Sequence, residues 1–171
     1  IYDREGNNTL WKSCQYDPTI KKSLKEKLIT IYSLLHTGDA RAVDHLDLQR
    51  VDYCEFGNSL PFRIRIVNLY NDNYDNFYVK VADASRIYGL ELEHILSPNW
   101  INYLANGNTL IEEHIAGVPG DTFIRDYFDR EETNEVRIAK EFVKFNERCF
   151  VRLLGDMRSY NYVVDITPDF E

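Results

Sequence analysis

Asp156 and Asn161 stand five residues apart in Gly155-Asp156-Met157-Arg158-Ser159-Tyr160-Asn161, and the apolar run Tyr162-Val163-Val164 follows at once. A carboxylate can take a proton from a hydroxyl, and an amide oxygen can sit on a hard cation. Arg158, two residues past the carboxylate, adds a permanent positive charge. A second polar intrusion is Lys80, which interrupts Phe77-Tyr78-Val79-Lys80-Val81-Ala82, and a third is Glu91 in a helix-like stretch. Each has a plainer reading. An Asp/Asn-rich turn is a common helix cap, and a strand lysine is often an edge residue with its head in water. His114, at the end of another apolar stretch, reads as structural.

Elements must hold these groups in place. Asp17-Pro18 is an N-cap followed by proline at the first helical position, and Ile20, Leu24, Leu28, Ile31 and Leu35 recur at helical spacing until Gly38. Lys21, Lys22, Lys25, Glu26 and Lys27 form its solvated side. The period then shortens, and 48–56, 61–70 and 77–82 read as three antiparallel strands, with Gly57-Asn58-Ser59 and 71–76 as turns. Residues 84–96 read as a helix ended by Ser97-Pro98. Residues 100–105 and 109–114 flank Asn106-Gly107, a strong hairpin signal. A connector at 116–120 leads to a short helix over 121–128. A longer helix is expected from Asp129, with Glu132 completing a capping box and Ile138, Phe142, Phe145 and Cys149 on its buried stripe. A polar loop and a strand over 162–166 follow.

Composition limits what this arrangement can do. The 171 residues are 44% hydrophobic and 28% charged, with 8 Gly and 5 Pro, which excludes disordered and low-complexity classes. Twenty Lys+Arg against twenty-eight Asp+Glu leave a net charge of -8, so a broad nucleic-acid face is not expected, although a local basic site is compatible. Cys14, Cys54 and Cys149 have no zinc or disulfide spacing and read as thiols of a reducing compartment. No run is long enough to span a membrane, and the start lacks a secretory pattern, so a soluble cytoplasmic protein is expected. Beginning at Ile1 and stopping after a strand-like run, the chain also reads as part of something longer.

From about Leu48 onward, the order of three strands, helix, hairpin, connector, two helices and a polar loop before a strand resembles the protein-kinase-like superfamily. It is nearest the aminoglycoside and small-molecule phosphotransferase branch. The resemblance implies an α+β fold: a five-stranded antiparallel sheet with one packed helix over 48–116, the start of a helical lobe over 117–171, and a helical extension over 1–47. By the same resemblance Asp156 is the catalytic base, Asn161 a magnesium ligand, and Arg158 a neutraliser of the transferring phosphoryl group. Leu154 departs from the His or Arg usual two residues before the Asp.

Lys80 matches the lysine that pairs with the α- and β-phosphates of ATP, and it needs a carboxylate to hold it. Glu91 is preferred to Glu93 because it falls within the apolar arc of Ile87, Leu90 and Ile95. Thr109 to Gly117 is similar to the fifth strand and adenine-holding hinge, with main-chain groups of Glu113 and Ile115 as the contacts. Gly57, Asn58 and Ser59 occupy the place of the phosphate-covering loop, with a single glycine. Asp169-Phe170-Glu171 imitates the second metal motif but comes only eight residues after Asn161. The resemblance implies ATP- and magnesium-dependent transfer to a small-molecule or protein acceptor, with this stretch by itself inactive. The alternative is a pseudokinase-like interaction module.

Overall fold

The computed structural model describes residues 1–2, 6–41, 43–56, 58–97, 100–130, 134–152, 155 and 157–166. The chain divides into two compact units, Ile1–His114 and Ile115–Glu171. The boundary lies just beyond the last strand of the main sheet, two residues before the expected one.

The first unit is α+β. Its strands are β1 (Trp11–Ser13), β2 (Leu46–Cys54), β3 (Phe62–Asn68), β4 (Tyr74–Val81), β5 (Tyr103–Asn106) and β6 (Thr109–Glu113), with helices α1 (Pro18–Thr37) and α2 (Ala84–Leu96). All strands run antiparallel in the order β1-β2-β3-β4-β6-β5. The sheet therefore has six strands rather than five. Residues 1–47 are not a separate extension, because β1 pairs with β2 and α1 packs on the sheet. The three-residue β1 is too short to show a period in sequence.

Helix α1 begins and ends where the capping rules place it. Asp17 accepts a hydrogen bond from the Thr19 N–H at 2.9 Å, and Gly38 closes the helix at φ 71° with its N–H on the Leu34 carbonyl at 3.0 Å. Leu28, Ile29 and Leu35 pack with Leu48, Val51, Ile64, Ile66 and Phe77 as one core, whereas Ile20 of the first turn is exposed.

The period of two in Phe62-Arg63-Ile64-Arg65-Ile66 divides the sheet into two faces. Ile64 lies across from Phe77 on the α1 side, and Arg63 and Arg65 lie across from Tyr78 and Asn76 on the other. In β2 the phase inverts. Leu48 pairs with Ile66 of the core, but Arg50 pairs with Arg65, because a bulge at Gln49 shifts the register between them. Without the extra residue Arg50 would share the core face with Leu48.

The β5–β6 hairpin turns through Gly107-Asn108, one residue later than Asn106-Gly107, and Gly107 has φ 57°, which glycine adopts without a Cβ clash. Helix α2 has the expected bounds, with Asp83 as N-cap accepting from the Arg86 N–H at 3.1 Å, yet none of its residues is buried.

The second unit is built from β7 (Val118–Pro119), α3 (Gly120–Asp126), α4 (Glu135–Val151), a 3-10 turn over Ser159–Asn161, and β8 (Val163–Val164), which pairs antiparallel with β7. Helix α4 starts at an Asn134 cap, which accepts from the Arg137 N–H at 3.0 Å, rather than at Asp129. Glu132 lies outside the described residues. Its expected stripe faces inward, with Ile138 and Cys149 buried and the rings of Phe142 and Phe145 against Tyr162 at centroid distances of 5.8 and 5.2 Å. No described helix is long and apolar enough to cross a membrane.

Candidate functional site

Lys80 sits on β4, an inner strand flanked by β3 and β6, with 13% of its side chain exposed. The edge-lysine reading therefore does not describe it. Its ammonium makes an ion pair with Glu112 of β6, whose side chain is 6% exposed. Arg86 of α2 also reaches Glu112, at 2.9 Å, with Nε and Nη2 donating at 3.1 and 3.2 Å. Lys80 and α2 thus share one sheet face. Burial pushes the Lys80 pKa below its ordinary value, the neighbouring Arg86 adds to that, and Glu112 opposes it.

Glu91, the carboxylate expected beside Lys80, does not pair with it. Glu91 instead accepts a hydrogen bond from the Tyr103 hydroxyl, and burial together with that carboxylate pushes Tyr103 up to about 12. The helical-wheel argument assumed that the apolar arc of α2 is buried, but Ile95 is 76% exposed. Glu112 was missed because its partner lies two residues along a neighbouring strand: Lys80 is in register with Leu110, and Tyr78 with Glu112. The signal in sequence was a pair of glutamates in a strand, one of which must face each side of the sheet.

Beside Lys80, the Ser59 carbonyl accepts from the Val81 N–H at 2.9 Å, which ties the 58–60 turn to the end of β4. Asn58 is exposed and Ser59 half-buried; Gly57 lies outside the described residues. Glu113 is engaged within the hairpin. Its N–H donates to the Asn102 carbonyl at 3.1 Å, and its carboxylate accepts from Asn102 N and Nδ2 at 2.7 and 2.9 Å. That N–H is therefore not available to a ligand. Ile115 is 47% exposed and makes no backbone hydrogen bond among the described residues. His114 shares a hydrogen bond with the Tyr78 hydroxyl at 3.0 Å, and burial pushes its pKa down.

In the second unit Arg158 and Asn161 are both exposed, and the Asn161 N–H donates to the Arg158 carbonyl at 2.8 Å, closing the 3-10 turn. The Arg158 guanidinium lies over the Tyr160 ring at 4.9 Å. Two glycines fix this segment. Gly120 donates to the Tyr162 carbonyl at 3.0 Å and lies so close that a Cβ there would come 2.1 Å from Tyr162 Cε2. At Gly117, φ 152°, a Cβ would meet Val163 Cγ1 at 2.5 Å. Asp156 and Asp169 lie outside the described residues. Asn161, the expected magnesium ligand, is described, and no cluster of three or more His, Cys, Asp or Glu among the described residues could hold a cation.

A further polar group lies on the Lys80 face of the sheet. Asp52, 1% exposed, binds Arg50 Nε and Arg63 Nη2 through the same oxygen, each at 2.8 Å. Arg63 also lies over the Trp11 ring at 4.6 Å. The sequence reading singled out none of the three arginines; the alternation of β3 is the signal that could have placed Arg63 and Arg65 here, whereas only the bulge brings Arg50 to this face.

Comparison with models of protein families, with curated proteins and with solved structures finds no match to the chain.

Proposed function

We propose that the chain belongs to a kinase-like phosphotransferase and that its first unit binds the phosphates of ATP through Lys80. The observation that carries this reading is a lysine on an inner strand, held almost out of water by a buried carboxylate, on the same face as α2. A cation fixed in this way is pre-organised for phosphate oxygens, which strengthens its pull in a low-dielectric setting. Glu112 takes the part that the resemblance assigned to Glu91.

Transfer chemistry falls to the Asp156 to Asn161 segment. Asp156 accepts the proton of the acceptor hydroxyl, and Arg158 offsets charge on the moving phosphoryl group. Magnesium, held through Asn161, would supply charge neutralisation between phosphate oxygens. An interaction module is the second reading, favoured by one observation: Lys80 is already engaged by Glu112.

The test is thermal unfolding with and without magnesium-ATP. A ligand selective for the native state raises the midpoint by mass action, and Lys80→Ala should remove the nucleotide-dependent increment. In a phosphotransfer assay of a longer form of the protein that turns over, Asp156→Asn should lower turnover by roughly 10²–10⁴-fold with nucleotide affinity kept. An unchanged midpoint at millimolar nucleotide overturns the reading in favour of the interaction module.

A further inference from the structure

Arg50, Arg63 and Arg65 converge on the face of the sheet opposite α1, and their charges are poorly compensated. Arg50 and Arg65 are directly opposed in the β2–β3 register, the arrangement in which like charges repel. Arg63 stands two residues from Arg65 on the same strand and face. One carboxylate serves the group, and it uses one oxygen: Asp52 Oδ2 takes both Arg50 and Arg63, while Asp52 Oδ1 is buried without a hydrogen-bond partner. Arg65 has only the bond from its Nε to Asn76 Oδ1 at 3.2 Å, so its terminal nitrogens bond nothing among the described residues. Its guanidinium is nonetheless held flat, lying over the Tyr74 ring at 4.1 Å.

The arrangement is not a default outcome of the strand pattern. Plain alternation would place Arg50 on the core face, and the bulge at Gln49 brings it to Arg65. In a chain of net charge -8, three guanidiniums share a sheet face with one carboxylate that binds two of them. Burial, with Arg50 and Arg63 adding to it, depresses the pKa of Arg65, the direction expected for a cation short of counter-charge.

We propose that the Arg50–Arg63–Arg65 cluster is a binding site for the phosphate group of a small molecule, separate from Lys80. A tetrahedral oxyanion offers several acceptors to planar guanidinium forks, and Asp52 acts as the residue that orients two of them. The site stands independently of the phosphotransferase reading, which rests on Lys80.

The test uses pyrophosphate and inorganic phosphate as probes on the full chain, followed by titration calorimetry and by the thermal midpoint at constant ionic strength. Saturable binding is expected, about tenfold weaker in Arg65→Gln, which leaves the Asp52 contacts in place, and weaker again in Arg50→Gln/Arg65→Gln. The loss of pyrophosphate binding caused by Arg65→Gln should be the same in a Lys80→Ala background as in the parent, which separates this site from the nucleotide site whatever the outcome for ATP. Circular dichroism of Arg65→Gln establishes that the variant is folded. The proposal is overturned if no saturable binding occurs at 10 mM probe on the order used for weak sites, if Arg65→Gln binds unchanged, if chloride at equal ionic strength gives the same effect, or if only an oligonucleotide binds.

Discussion

Removing Glu112 should damage the protein far more than removing its partner Lys80, and the asymmetry follows from exposure. In Glu112→Leu, similar in volume, the Lys80 ammonium stays at the end of a side chain that is only 13% exposed and has no counter-charge. Leaving one member of a buried pair uncompensated costs about 3–5 kcal/mol. In Lys80→Met the carboxylate keeps Arg86, which is half exposed and reaches it at 2.9 Å, so the loss should be about 1–2 kcal/mol. The double variant removes both charges and should lie within about 1 kcal/mol of the parent, since an apolar replacement of a buried pair is often neutral. Urea unfolding followed by far-UV circular dichroism gives the three values.

A pH series adds an independent check. Because burial holds the Lys80 pKa below 10.5, the unfolded chain binds more protons between that lowered value and 10.5. Stability from this group therefore rises with pH across that window. The rise should be larger and begin lower in Glu112→Leu, where nothing opposes desolvation. Equal losses in the two single variants, or strict additivity in the double, would refute the argument that Lys80 depends on Glu112 for its charge.

Three further outcomes are expected. Gly120→Ala should cost the second unit about 1–3 kcal/mol or more, because the new Cβ would lie 2.1 Å from Tyr162 Cε2, whereas Gly155→Ala, with no atom within 4 Å, should be neutral in the same tyrosine-fluorescence unfolding assay. Tyr32, pushed up to about 12 by burial and by Asp75, contributes stability that is complete below pH 10 and lost toward pH 12; Tyr32→Phe should flatten that alkaline decline in pH-dependent melting. Asp83→Ala removes the cap of α2, and amide exchange in that helix should speed up several-fold, on the order expected for a lost N-cap, with β3 and β4 unaffected.

Local rules carried much of the fold. The Asp17-Pro18 start, the Gly38 stop and both ends of α2 were all readable from neighbouring residues. Contacts set by register were not. Whether Lys80 meets Glu112 or Glu113 depends on how β6 aligns with β4, and no residue within either strand fixes that offset by itself. The same holds for Arg50, where a single unpaired residue reverses the face. The hairpin was legible, but its turn moved by one residue because Gly107 takes the first turn position instead of the second.

The absence of any buried residue in α2 separates two kinds of stability within the first unit. The helix is held by its cap, by Arg86 on Glu112, by Tyr103 on Glu91 and by His94 on the Ile101 carbonyl at 3.1 Å. Thirteen residues are marginal as an isolated helix, so α2 should open locally at a free energy well below that of the sheet. Such an opening takes Arg86 away but leaves Lys80 and Glu112 facing each other across β4 and β6, because both are carried by strands. The Lys80–Glu112 pair therefore outlasts the fluctuations of the helix beside it, while the departure of Arg86 relieves its downward push on the Lys80 pKa.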